Sequence, residues 1–195
     1  MFCYQCEQTA KGTGCTNKGV CGKDADTAAL QDLLVHACKG IGMYGHRAKQ
    51  AGRQDQESDL FVVEMLFTTV TNVNFDADRH VALLQQAGTM LKRARTLYED
   101  ACKDAGKTPE TLSGPALWEP APTKEGLLAQ AAKVSIDRRR DARGEDLTGL
   151  EELCVYGLKG TAAYLDHAQV LGQRDDEVFA FFLEALDFLA GEPGV

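Results

Sequence analysis

The sequence predicts an all-α protein of two similar three-helix lobes with an N-terminal cysteine-rich cluster-binding loop. Three observations carry that expectation. Apolar residues recur at spacings of three and four over long stretches, and no period-two alternation survives anywhere. Residues 150–172 (LEELCVYGLKGTAAYLDHAQVLG) repeat residues 30–52 (LQDLLVHACKGIGMYGHRAKQAG) at a constant offset of 120. A stretch carrying four of the five prolines separates the two copies.

In that repeat Leu30 matches Leu150, Leu33 matches Leu153, Lys39-Gly40 matches Lys159-Gly160, Tyr44 matches Tyr164, and Gly52 matches Gly172. The register continues to Glu64 and Glu184, and to Leu66 and Leu186. Glycine in mid-helix costs about 1 kcal/mol against alanine. Its presence in both copies points to close helix approach at Gly40 and Gly160, with Tyr44 and Tyr164 one turn further on.

Residues 1–23 read as loop. Asp24, Asp26 and Thr27 then offer capping oxygens for a helix over 28–51 whose apolar positions include Leu30, Leu33, Leu34, Ala37, Cys38, Ile41 and Tyr44, with Gly52 as its stop. A second helix begins at Ser58 or Asp59 and ends near Val70, broken by TNVNFD. Asp76 caps a third, which ends near Gly106 and closes the first lobe, residues 24–106. Residues 107–122 hold Pro109, Pro115, Pro120 and Pro122, a density that forbids regular helix, and Trp118 pins this linker to a lobe. Thr123 starts a fourth helix ending around Asp137, the run DRRRDARGED forms a solvated loop, and the second repeat completes a lobe over 123–195.

A chain of 195 residues with 44% hydrophobic content can bury a core unaided. A net charge of -8 argues against nucleic-acid and anionic-membrane partners, no apolar run is long enough to span a membrane, and the start of the chain lacks a secretory signal. A cytoplasmic location is expected. Seven cysteines, an odd number, suit a reducing compartment where thiols serve metals.

Four of those cysteines, Cys3, Cys6, Cys15 and Cys21, fall in MFCYQCEQTAKGTGCTNKGVCGK with spacing C-x2-C-x8-C-x5-C. The segment is rich in Gly, Thr and Lys and cannot order itself by burial, so it needs a metal or disulfides. Thiolates select zinc or iron-sulfur centres. Structural zinc sites usually pair two tight knuckles; only one is present here, which favours iron-sulfur and leaves zinc as the competitor. Phe2 and Tyr4 flank the first ligand and would shield a centre from water, while Lys11, Lys18 and Lys23 would offset its negative charge. Cys38 and Cys154 lie on apolar helix faces and read as small core residues, and Cys102 has no visible partner. His36, His46, His80 and His167 form no ligand pattern.

The N-terminal stretch, together with TAALQDLL, TNVNFD and YGLKGTAAYLDHAQVLG, closely resembles the start of the hybrid cluster proteins, also called prismane proteins or hydroxylamine reductases. The resemblance covers essentially the whole chain and only the first domain of that family. It implies a 4Fe-4S cluster on Cys3, Cys6, Cys15 and Cys21, as opposed to the 2Fe-2S centre of members with wider spacing. The family's catalytic hybrid cluster belongs to later domains, so no catalytic residue carries over. The resemblance thus implies an electron-transfer module serving missing catalytic domains or a redox partner protein, with a redox, nitric-oxide or oxygen sensor and a structural metal-binding interaction domain as the alternatives, and with self-association into a homo-oligomer left open.

Overall fold

The computed structural model describes residues 1–194, and among them no strand is present. Seven helices follow the loop: α1 (Ala25–Gln50), α2 (Gln56–Thr68), α3 (Ala77–Asp104), α4 (Lys124–Val134), α5 (Ile136–Arg143), α6 (Glu145–Val170) and α7 (Asp176–Ala190). Aspartate caps four of them. The side chains of Asp24, Asp55, Asp76 and Asp175 accept from backbone amides of Thr27, Ser58, Arg79 and Glu177, and Thr123 does the same for α4.

The two repeats fold into matching hairpins. Gly52 and Gly172 both end their helix at positive φ, +89° and +75°, and the following amides of Arg53 and Gln173 each bond back to Ala48 and Ala168 at 2.9 Å. The hairpins then embrace: α1 packs against α7, and α2 against α6. The apolar core is therefore shared between residues 24–106 and 123–195, running from Leu33, Ile41 and Leu66 to Phe179, Phe182 and Leu186. Gly42 lies against the Leu186 side chain, where an added Cβ would come within 2.6 Å.

The copies differ in what covers them. α3 and the 107–122 segment lie over α1, where Gly40 touches the Pro115 carbonyl and Leu91, and Tyr44 stacks near Tyr98 at 6.2 Å between ring centroids. Trp118 packs against the core, as expected. Among the described residues nothing comparable covers α6. Gly160 has no neighbour within 4 Å of a would-be Cβ, and Leu153 and Tyr164 are 66% and 81% exposed. The close-approach role expected of both glycines thus holds for Gly40 only. Cys38 is buried as expected of a core cysteine, and Cys102 is buried as well; Cys154, expected in the core, is exposed in an open groove that it shares with Phe181 and Phe188 of α7.

The expected loop at DRRRDARGED is instead α5, capped by Ser135 and ended by Gly144 at φ +87°. Its sequence carries no apolar period. It is held from outside, by ion pairs from Arg139 to Glu152 and from Arg143 to Glu151 of α6.

Candidate metal centre

The cysteine loop is short of secondary structure but not of hydrogen bonds. Cys3 and Cys15 form an antiparallel bridge, with Cys15 N–H donating to the Cys3 carbonyl at 2.8 Å and Phe2 N–H to the Cys15 carbonyl at 3.0 Å. Opposed residues of such a bridge carry their side chains on one side, so these two thiols share a face. Cys6 follows at the start of a single 3-10 turn, Glu7–Thr9, and its carbonyl accepts from the Thr9 hydroxyl at 2.6 Å. Gly14, at φ +55°, lets the return strand pass the Cys3 carbonyl and the Met1 sulfur; a Cβ there would meet both at 2.6 Å. Cys21 sits apart from the bridge on the exposed turn closed by Gly22 N–H on the Gly19 carbonyl.

All four thiols are free. Among the described residues, no three His, Cys, Asp or Glu side chains converge as a site for one metal ion. Three of the four histidines lie elsewhere: the His80 ring meets the Asp76 carbonyl, His46 meets Gln50, and His167 lies edge-on to Phe67; His36 lines the small cavity under Tyr4.

What fixes the loop to the helices is the pair of residues between Cys3 and Cys6. The Tyr4 hydroxyl donates to Asp32 of α1 at 3.5 Å and lies 3.4 Å from Arg139 of α5. The Gln5 amide, oriented to satisfy both neighbours, donates to the Thr69 carbonyl at 3.0 Å and accepts from Lys159 of α6 at 2.9 Å, while Thr71 donates to the Gln5 carbonyl. The C-x-x-C segment is thereby keyed into both halves of the molecule.

Beneath it lies a cavity of ≈ 40 Å³, lined by Tyr4, Arg139 and four residues at matching register in the repeats: Asp32 with Glu152, and Lys39 with Lys159. That volume holds roughly two or three waters and no metal centre. Burial pushes the Asp32 carboxyl up to about 7, against the opposing pull of Lys159. Burial likewise lowers Lys39 to about 8 and depresses Lys159. Lys159 is 4% exposed and Lys23 only 2%, and Lys23 rests on the Gln31 amide oxygen at 2.7 Å. Neither has a carboxylate within 4.0 Å among the described residues, an arrangement that is costly for a buried ammonium unless another anion is near.

The sequence reading named the cysteines, Tyr4 and Lys23 for the site; Lys159 entered only as a repeat position and Arg139 only within a solvated run, and Gln5, Asp32 and Glu152 were given no role. A signal for the helix residues was present: charged residues seven positions apart on an otherwise apolar face, repeated at offset 120.

The residues fit an anionic, thiolate-held centre on three counts: four free soft donors, a glycine cradle where the chain doubles back, and buried cations facing the loop. Beside the loop a groove of ≈ 450 Å³ opens between Cys6, Thr9 and the α6 residues Leu153 and Tyr156.

Comparison with known proteins identifies the family. A hydroxylamine reductase of Rhodospirillum rubrum is 51% identical over 193 residues, covering 99% of this chain and 35% of that protein. One from Acidithiobacillus ferrooxidans is 51% identical over 197 residues, and one from Geobacter sulfurreducens 47% over 189, with 35% and 34% of those proteins covered. The chain spans about a third of the length of the curated relatives it matches. The family model described as Prismane/CO dehydrogenase runs from the bridged cysteine loop through the end of α7, residues 1–194, so the chain belongs to the Prismane/CO dehydrogenase family.

Proposed function

We propose that residues 1–23 hold an iron-sulfur cluster of the 4Fe-4S kind on Cys3, Cys6, Cys15 and Cys21, and that the chain is an electron-relay module for the catalytic part of longer hydroxylamine reductases or for a redox partner. The observation that carries this reading is the C-x-x-C segment pinned by Tyr4 and Gln5 over buried lysines that lack carboxylate partners. Such a cluster, when bound, accepts and returns one electron at a time. The chain's own residues do the rest. Four thiolates hold the centre, Gly14 admits the turn that brings Cys15 back to Cys3, and Phe2 and Tyr4 limit water at the first ligand. The groove beside Cys6, open to solvent and lined by Leu153 and Tyr156, gives a partner close access to the loop. No helix is long and apolar enough to cross a membrane among the described residues, in keeping with a partner met in solution.

The test is iron and sulfide content with an EPR spectrum of protein purified and reduced without oxygen. About four irons per chain and one spin-one-half signal on reduction support the reading. A colourless protein carrying one zinc per chain refutes it.

A further inference from the structure

Lys159 is a buried residue of α6 and stands in the second repeat, far from the cysteines in sequence. Its ammonium is met by a neutral amide, Gln5, from the middle of the C-x-x-C segment, at 2.9 Å. Its nearest carboxylates are otherwise engaged: Glu152 is paired with Arg139, and Asp32 accepts from Tyr4. The Cys3 sulfur is near enough to act on it electrostatically. Lys23, at the other end of the loop, repeats the pattern with Gln31. Asp32 and Glu152 act on Lys159 only from beyond ion-pair distance, so both lysines lack a direct carboxylate partner beside a loop whose expected occupant is negative.

We infer that Lys159 is a positioning residue: a buried counter-cation that sets the reduction potential of the centre on Cys3, Cys6, Cys15 and Cys21 and holds the C-x-x-C segment through Gln5. This rests on the reading of residues 1–23 given above. A positive charge in a site shielded from water favours the more negative, reduced state of the centre. It also favours the loaded protein over the metal-free one, where the same charge is unmatched.

The experiment compares the full chain with Lys159→Met, which keeps the length of the side chain, and Gln5→Glu, which gives the ammonium a carboxylate partner and leaves the lysine in place. Lys159→Arg tests rescue, and Lys11→Met, on the exposed part of the loop, is the control. Mediated redox titration of the loaded proteins is expected to move the midpoint to more negative potential in Lys159→Met and Gln5→Glu, with Lys159→Arg near wild type and the control unmoved. Iron release to a chelator should quicken roughly 10–100-fold in Lys159→Met. Metal-free Lys159→Met should resist urea better than metal-free wild type, the opposite of what loss of a structural contact gives. Unmoved midpoints, or a metal-free Lys159→Met less stable than wild type, overturn the inference and leave the iron-sulfur reading standing. Failure of the wild-type chain to take up iron and sulfide overturns both.

Discussion

Replacing Gly40 and Gly160 by alanine puts the same methyl at equivalent positions of the two repeats, so their difference isolates the surroundings. Each lies in the middle of a long helix, α1 or α6, and each gains about 1 kcal/mol in helix propensity. At Gly160 nothing lies within 4 Å of the new Cβ, and that gain stands alone. At Gly40 the Cβ runs into the Pro115 carbonyl and comes within 3.1 Å of Leu91 Cδ1. A backbone obstacle cannot swing aside as a flexible side chain can, so overpacking of about 1–3 kcal/mol opposes the gain and is taken at its upper end. The expected result is Gly160→Ala stabilised by about 1 kcal/mol and Gly40→Ala destabilised by roughly 1–2 kcal/mol. For a chain of this size each kcal/mol moves Tm by roughly 2–4 °C, so the two variants should melt several degrees apart on opposite sides of wild type. Thermal and urea unfolding followed by circular dichroism measures it. Equal shifts of the same sign would refute the claim that only the first repeat is covered at its glycine.

Two further outcomes follow from the loop and the cavity beneath it. Cys15→Ser should abolish cluster uptake and loosen residues 1–23 while the helical circular dichroism persists, because the helices share a core that the loop does not enter; loss of all helical signal would contradict this. Asp32 holds its proton up to about 7 in the folded chain and releases it near 3.9 when unfolded, so the unfolded state binds fewer protons between those values and stability falls as pH rises through that window. Asp32→Asn should flatten that part of the pH–stability curve, as read from urea midpoints at pH 4, 5.5 and 7, and a variant with the wild-type slope would exclude Asp32 as its source.

Much of this molecule is written locally. The aspartate at 76 and the threonine at 123 cap the helices they were expected to cap, and Gly52 and Gly172 stop theirs, because these roles depend on a few neighbouring residues. The environment of α6 was not legible. Leu153, Cys154 and Tyr164 have the spacing of core residues and the register of buried counterparts, yet stand exposed because only α1 receives α3 and the proline segment. α5 was missed for a related reason: IDRRRDAR has no apolar face, and its helix depends on carboxylates of α6 that sequence spacing alone does not bring near. For the candidate site, the spacing of the cysteines marks the donors, whereas the anchoring of Tyr4 and Gln5 and the burial of Lys159 arise only once the two repeats face one another.

That meeting of repeats fixes a stoichiometry. The small polar cavity draws one carboxylate and one lysine from each copy, and Tyr4 and Arg139, from outside the repeats, reach between them. A near-symmetric scaffold is thereby made one-handed. The place that anchors the cysteine loop takes residues from α1 and α6 at once, so the two hairpins together make one anchorage among the described residues, and a second loop appended to the other hairpin would find the position already filled.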